Sequence, residues 1–559
     1  MNDLTMGSSP VSKEAAAIPS GSTEEVEAEQ IQGSSASLNS SRDEAIVYPH
    51  GIRLWTMMGM IALLFFLTTI ETFIAVTALL AISKELDSFE TASWVLSSYQ
   101  LGYVAVIVIS AKLSDILGRK LVLIVSIVIF TALSGGCGAA QNMTQLVVLR
   151  AFQGVGAGGC FALCAIMMVE LVPPAKLGPV VARTGIAIVM AMILGPILGG
   201  AICDHSTWRW IFWLNIPLGA FALLLALVGI PKGFPHHLRP DQSVLADIVP
   251  SQTRARIDIL GFILVMAATV TFTAGFQEAD ARFAWDSAYV ISLLVLSVVF
   301  WAALLLWERH VTRSDGVREP VLPWRFFTNR VLIGIMLGFL LVGGPMAVLN
   351  FQLPQRFQLI NGMSSFDAGV RIIPFGASFS IGSIASANIA SRLKVPAVYI
   401  TLCGSAFQII GFALLSTLEA STELHPATYG YEVLCGVGCG VNYQILYLMV
   451  PFTTEKRDHA VGMGAANQFR YMGSAFGLAI ATSVFNGYGM PRLRDLGITE
   501  PTELFLAGDS GMLPESMQEV VRQILSEGYN RQMLVLCAFA AAQVPATLLI
   551  FKRKQVIVA

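Results

Sequence analysis

The chain has 559 residues, of which 55% are hydrophobic and 13% charged, and its formal net charge is -2. So apolar a composition excludes an ordinary soluble protein, which at this length would divide into about three or four domains. Lys and Arg are scattered through short loops, so no face offers the dense positive field that nucleic acid requires, and nucleic acid is excluded as a partner.

Residues 1–50 are rich in Ser, Glu, Ala and Gly, bury too little surface to offset ordering entropy, and are expected to form a disordered cytoplasmic tail. They lack a short apolar run with a small-residue cleavage site, so the first span is expected to direct the chain to the membrane. Apolar stretches long enough to cross a hydrocarbon core of about 30 Å then recur, about fourteen in all. They cover 55–82, 93–111, 121–140, 146–170, 182–203, 211–230, 259–277, 288–307, 331–351, 369–389, 396–417, 431–451, 463–486 and 532–551.

Every second loop carries basic residues, such as Lys112, Arg119 and Lys120, or Lys456 and Arg457, whereas 141–145 and 418–430 carry none. Because cytoplasmic loops retain Lys and Arg, both termini are expected on the cytoplasmic side. The last outer loop, 487–531, has Met517, Val520, Val521, Ile524 and Leu525 at helical spacing, which predicts a short amphipathic helix on the membrane surface, serving as a structural cap or as a gate. Asn142-Met143-Thr144 is a glycosylation sequon beside the bilayer. The eight cysteines lie in or at the ends of apolar segments without His or Asp at ligand spacing, which predicts packing residues and no metal. The seven histidines are dispersed and the inner loops are short, so neither an enzyme site nor a sensor domain is expected.

Charged and small residues inside the spans carry the functional signal. The first inner loop reads Ala111-Lys-Leu-Ser-Asp115-Ile-Leu-Gly118-Arg119-Lys120. Gly118 permits a tight turn, and Asp115 and Arg119 can pair across helix ends to latch one conformation, with Lys120 beside them. Ala111 stands where a glycine would pack more closely. In the fourth span Arg150, Gln153, Gly154, Ala157 and Gly158 form one stripe. An arginine at mid-bilayer costs at least about 2.5 to 3.5 kcal/mol, so it must face a partner or a cavity. Glu71, alone in the first span, is the expected partner. A buried carboxylate beside an arginine can exchange a proton, so Glu71 and Arg150 are the candidates for proton coupling; a purely structural ion pair is the other role open to them.

These motifs resemble those of the major facilitator superfamily. The loop is similar to its Gly-x-Leu-x-Asp-x-x-Gly-Arg-Lys signature and the stripe to its Arg-x-x-Gln-Gly motif. The run Ala191-x-x-x-Gly195-Pro196-x-x-Gly199-Gly200 resembles the motif of its exporting, antiport branches, with Gly195, Pro196, Gly199 and Gly200 as a kinked, close-packed hinge. Trp94-Val-Leu-Ser-Ser98-Tyr99 and Trp208-Arg-Trp-Ile-Phe-Trp213-Leu-Asn215-Ile-Pro217-Leu-Gly219 look like the fourteen-span drug:proton antiporters of fungi.

The resemblance implies an all-α polytopic fold with two pseudo-symmetric six-helix halves, 51–230 and 331–559, and two extra helices within 231–330. Spans 7 and 8 would be those extra helices, peripheral and without buried charge. In the second half Gln444, Asn467 and Arg470, together with Gln153 of the first, are the candidates for a substrate cavity. The expected activity is proton-coupled efflux of small, largely apolar organic compounds by alternating access. It needs a proton gradient and no cofactor, by a monomer in the plasma membrane, with the vacuolar membrane as alternative. Import of siderophore-iron, amino acids or another nutrient is the second reading, and a non-transporting membrane sensor a remote third.

Overall fold

The computed structural model describes residues 48–86, 94–231, 234–235, 256–280, 282–314, 317–496 and 515–553. The tail up to residue 47, Lys232, Arg239 and Arg254 of the inner linker, and the middle of the last outer loop lie outside the described residues. Among the described residues fourteen long helices follow one another. The first six are α1 Ile52–Glu85, α2 Trp94–Leu117, α3 Arg119–Ala139, α4 Met143–Leu171, α5 Pro174–His205 and α6 Asn215–Gly229. Two more, α7 Ile259–Glu278 and α8 Ala288–Arg313, precede α9 Arg330–Leu359, α10 Ile373–Arg392, α11 Ala397–Leu415, α12 Ala427–Thr453, α13 His459–Asp495 and α14 Glu515–Ile550. Starts are set by local chemistry: the side chains of Asn142, Asp258, Ser287 and Asn329 each accept a backbone N–H in the first turn of α4, α7, α8 and α9.

Thirteen of the helices among the described residues are long and apolar enough to cross a membrane. The other long one, α13, has Asn467, Gln468 and Arg470 near its middle, all buried. Its polarity is accommodated because it lies inside the bundle, against α2, α9 and α14. Peripheral faces are instead aliphatic: Val298 and Leu306 of α8, Val228 of α6 and Ile381 of α10 are all largely exposed, as surfaces meeting lipid must be.

The packing repeats with an offset of eight helices. In the first half α1 packs on α5, α2 on α4, α3 on α4 and α3 on α6; in the second α9 packs on α13, α10 on α12, α11 on α12 and α11 on α14. The halves meet along two equivalent seams, α2 with α13 and α5 with α10.

Three expectations require correction. Spans 7 and 8 are not peripheral as a pair, because α7 covers the α2–α13 seam, and Asp258, Glu278 and Glu308 at their ends are buried. Asp258 accepts from the Trp307 indole, while Glu308 accepts the Val321 and Leu322 N–H groups, so polar partners offset the cost of burial. The pair is tied to both halves: Glu319, in the segment after α8, accepts from Lys112 of α2 at 2.7 Å and from Arg256 just before α7, and at the opposite end Trp285 donates to Ser483 of α13 and Asn486 of α13 to the Asp280 carbonyl.

Second, the amphipathic stretch 517–525 is not a separate surface helix. It is the beginning of the 36-residue α14, whose Val521 and Leu525 are buried with Phe485, Leu493 and Tyr529. Third, Ala111 does not loosen its contact. It is fully buried against Gly464 of α13, where a Cβ would come within 2.8 Å of the alanine's own. The small residue that the close approach needs is on the opposing helix.

Candidate functional site

Gly102, Gly154 and Gly158 bring α2 and α4 into backbone contact: a Cβ on Gly154 would overlap the Tyr99 carbonyl oxygen, and one on Gly158 that of Tyr103. This closeness sets Tyr99 and Arg150 face to face, the guanidinium carbon 4.3 Å from the ring centroid, with Phe212 at 5.4 Å on another side. Glu71 of α1 lies 2.5 Å from the same guanidinium, and both side chains are 0% exposed. Asn215 donates to the other carboxylate oxygen at 2.5 Å and Gln153 to the first at 3.1 Å. Arg150 also donates to Gln153 at 2.9 Å and to the Val95 carbonyl at 3.1 Å. Five helices thus contribute to one dry, charged cluster, because Ser134 of α3 accepts from Gln153 as well.

Gln153 therefore belongs to this cluster and does not line a cavity. The equivalent place in the second half, among α11, α12 and α14, holds neutral amides: Asn442 donates to Gln543 at 2.6 Å and to Ser405 at 2.9 Å, and Gln543 to Gln408 at 2.9 Å.

A second charged centre lies where the halves meet. Arg470 of α13 sits over the Tyr471 ring at 4.0 Å, with Phe161 of α4 and Tyr443 of α12 both at 5.8 Å. Tyr471 shares a 2.9 Å hydroxyl–hydroxyl hydrogen bond with Tyr103 of α2, one helical turn from Tyr99. A continuous path runs Glu71, Arg150, Tyr99, Tyr103, Tyr471, Arg470. Asn467 and Gln468 are one turn earlier on α13, and Gln468 accepts the Val108 N–H across the seam. Gln444 faces α10, on the side where Gly436 and Gly440 meet Phe375 and Phe379.

At the end of the bundle carrying the Asp115 loop, Arg119 pairs with Asp115 at 2.6 Å and with Glu170 of α4 at 2.8 Å, and also donates to Ser114. Gly118, with φ of 91°, supplies the left-handed turn between α2 and α3. Lys120 donates to the Leu227 and Ile230 carbonyls at the end of α6, where a cation is favoured. The halves are closed at this end: Tyr447 of α12 donates to the Ala165 carbonyl of α4 at 2.8 Å. At the other end Phe73 stacks on Phe351, centroids 5.4 Å apart.

A model of the Major Facilitator Superfamily matches residues 61–278 and 244–478. The chain belongs to the major facilitator superfamily. It is 35% identical over 510 residues to the MFS-type transporter FPY5 of Fusarium mangiferae, covering 91% of this chain and 85% of that one. It is 26% identical over 494 residues to the multidrug transporter protein MdtP of Bacillus subtilis (strain 168), covering 87% and 86%. Its fold is similar to that of the proton:xylose symporter XylE, with a TM-score of 0.52 at 14% identity, covering 88% of this chain and 96% of that one. It is accordingly a membrane transporter of small molecules and not an enzyme.

The remaining expected residues of this transporter fall as follows. Gly195 and Gly199 of α5 pack on α1 at Phe73, Ile74 and Thr77, immediately beyond Glu71, whereas a Cβ on Gly200 would meet nothing within 4 Å. Gly200 is thus no part of the close contact, and α5 continues through Pro196 to His205. Asn142 caps α4, accepting the Gln145 N–H at 2.9 Å.

Sequence reasoning missed four partners: Asn215, Tyr99, Glu170 and the Lys112–Glu319 contact. Asn215 and Tyr99 were visible as polar residues inside otherwise apolar motif segments. Glu170 had a weaker signal, an acid at the last turn of a span ending beside Arg119.

Proposed function

We propose that this transporter exports small organic molecules in exchange for protons by alternating access, with Glu71 carrying the coupling proton and Arg150 setting its charge state. The supporting observation is the fully buried Glu71–Arg150 pair joined through three tyrosines to Arg470 between the halves. A proton on Glu71 removes the negative half of the pair, so Arg150 loses its counter-ion and its hold on Tyr99 changes. Tyr103, on the same helix, bonds across the seam to Tyr471, which links that change to the contact between halves. The equivalent place in the second half holds neutral amides and no ion pair, so it has no counterpart of Glu71–Arg150.

Release of the α2–α13 seam at the Asp115 end and its re-formation around Asp115, Gly118, Arg119 and Lys120 would then alternate with opening at the Phe73–Phe351 end. The Gly195–Gly199 contact, directly on the helix of Glu71, supports the antiport reading, and the similarity to a multidrug transporter of Bacillus subtilis supports small organic molecules as cargo. Lys and Arg concentrated at the Asp115 end favour a cytoplasmic position for that end and for both termini, in the plasma membrane.

The test is transport by the purified protein in oriented proteoliposomes under an imposed pH gradient, with fluorescent organic dyes as cargo. Glu71→Gln is expected to abolish gradient-driven dye movement while leaving dye-for-dye exchange in place. Undiminished gradient-driven movement by Glu71→Gln overturns the proton assignment, and gradient-driven uptake in place of efflux reverses the direction.

A further inference from the structure

We infer that Arg470 is the counter-ion for an organic anion, and that the cargo of this transporter carries a carboxylate, enolate or phenolate on a planar, largely apolar body. The inference rests on the reading that the region between the halves is the cargo path. Three observations on the same ground carry it.

The first is an unbalanced charge. Arg470 is 9% exposed, and none of the ion pairs among the described residues includes it. An arginine cannot shed its proton to escape burial, so it stays cationic. Among the described residues the other deeply buried arginines have an anion or several polar partners: Arg150 has Glu71, Arg119 has Asp115 and Glu170, and Arg356 has Asn530, Ser526 and the Leu418 carbonyl. The side-chain hydrogen bond of Arg470 is to the neutral Tyr471, so burial leaves the cation without an anion, which is costly and marks the place where one arrives from outside.

The second is unused hydrogen-bonding capacity nearby on the same helices. Arg470 Nε has no partner, nor do Asn467 Oδ1, Gln468 Nε2 or either polar atom of the Gln444 amide, all on residues at least nine-tenths buried. Buried polar atoms are normally satisfied, and here the idle donors, Arg470 Nε and the amide nitrogens of Gln468 and Gln444, are fitted to oxygen acceptors, whereas Asn467 Oδ1 and Gln444 Oε1 are idle acceptors.

The third is the lining. Phe161, Tyr443 and Tyr471, from both halves, lie around the guanidinium, and Tyr103 packs edge-on against Tyr471; rings of this kind can cover the faces of a guanidinium and leave its edge to a planar carboxylate-like group. Parting of Tyr103 from Tyr471 exposes that edge between two sets of rings, on which an aromatic body can stack.

The test uses fluorescein and rhodamine 6G, which share a xanthene ring system and differ in charge, titrated at pH 8 into the purified full-length protein and read by fluorescence anisotropy. No gradient is present, so proton coupling does not enter. Fluorescein is expected to bind at least tenfold more tightly than rhodamine 6G. Arg470→Gln is expected to weaken fluorescein at least tenfold without weakening rhodamine 6G, and Arg470→Lys to show a smaller loss.

Absence of saturable fluorescein binding, equal or tighter binding of rhodamine 6G, or unchanged fluorescein affinity in Arg470→Gln overturns the inference. Should Arg470→Gln not fold, wild-type charge selectivity and Arg470→Lys decide it. A protein that binds fluorescein in this way yet moves no dye under a pH gradient fails the exporter reading and leaves this assignment intact. One that exports rhodamine 6G and does not bind fluorescein does the reverse.

Discussion

Removing one charge at a time from the Glu71–Arg150 pair gives a sharp test of its energetics. Glu71→Gln leaves the Arg150 guanidinium at 0% exposure with no anion, retaining the Val95 carbonyl, the Gln153 amide and two aromatic faces. Breaking a buried pair from one side costs about 3 to 5 kcal/mol. The introduced amide oxygen can still accept from Arg150, so the loss should lie at the lower end, about 3 kcal/mol. Adding Arg150→Gln removes the stranded cation, and a buried pair replaced as a whole is often neutral in stability. The double variant should therefore be more stable than Glu71→Gln, by about 1 to 3 kcal/mol.

The assay is thermal unfolding in detergent with a maleimide dye that fluoresces on reaching buried thiols. Cys137 borders the cluster, its sulfur 3.6 Å from Gln153, so with the other seven cysteines replaced by serine or alanine its exposure reports on the site itself. Gradient-driven transport should be lost in both variants, while stability should fall and then recover. A double variant no more stable than Glu71→Gln would refute the argument that an unpaired charge, rather than lost packing, causes the destabilisation.

Three further outcomes are expected. Glu319 is partly buried, which works against its charge, but Lys112 and Arg256 outweigh that and hold its carboxyl below the ordinary value of 4.5. Its contribution is therefore present in full above that value and is lost as pH falls through the lowered one. The stability difference between wild type and Glu319→Gln should be constant at neutral pH and shrink on acidification below about pH 4.5, as read by unfolding at a series of pH values. Gly199→Ala should destabilise by about 1 to 3 kcal/mol, because the Cβ would overlap Thr77, while Gly200→Ala, in open space, should be neutral or slightly stabilising in the same unfolding assay. Gly464→Val should prevent α13 from closing on Ala111, and thiol reagents should then reach a cysteine placed at Val108 faster than in the parent.

Much of this architecture is legible in the sequence, since lipid demands long uninterrupted apolar helices and makes isolated charges conspicuous. Glu71 and Arg150 stand out for that reason, and hydrogen-bond geometry adds only what a linear pattern cannot: that Gln153 joins them and that Asn215, 144 positions from Glu71, completes the carboxylate. The position of α7 is not legible, because a helix apolar on all sides gives no hint of which seam it covers. Nor is the continuity of α14, whose first turns carry Glu519, Arg522 and Glu527 and fall outside any apolar window although Val521 and Leu525 are buried. Arg470 is visible as a charge in a span beside Tyr471, but the rings of Phe161 and Tyr443 around it come from two other helices and have no local signature.

The placement of α7 and α8 makes the two flanks of the transporter unlike. Bound to the first half through the Lys112–Glu319 contact at one extremity and to the second through Ser483 and Asn486 at the other, the pair would act as a tie-bar on the alternating access proposed above, its two anchorages bounding the travel of the halves. It also shutters one lateral doorway to the acyl chains. Among the described residues no helix shields the α5–α10 side in the same way, so an amphiphile arriving from within a leaflet has a single flank by which to come in.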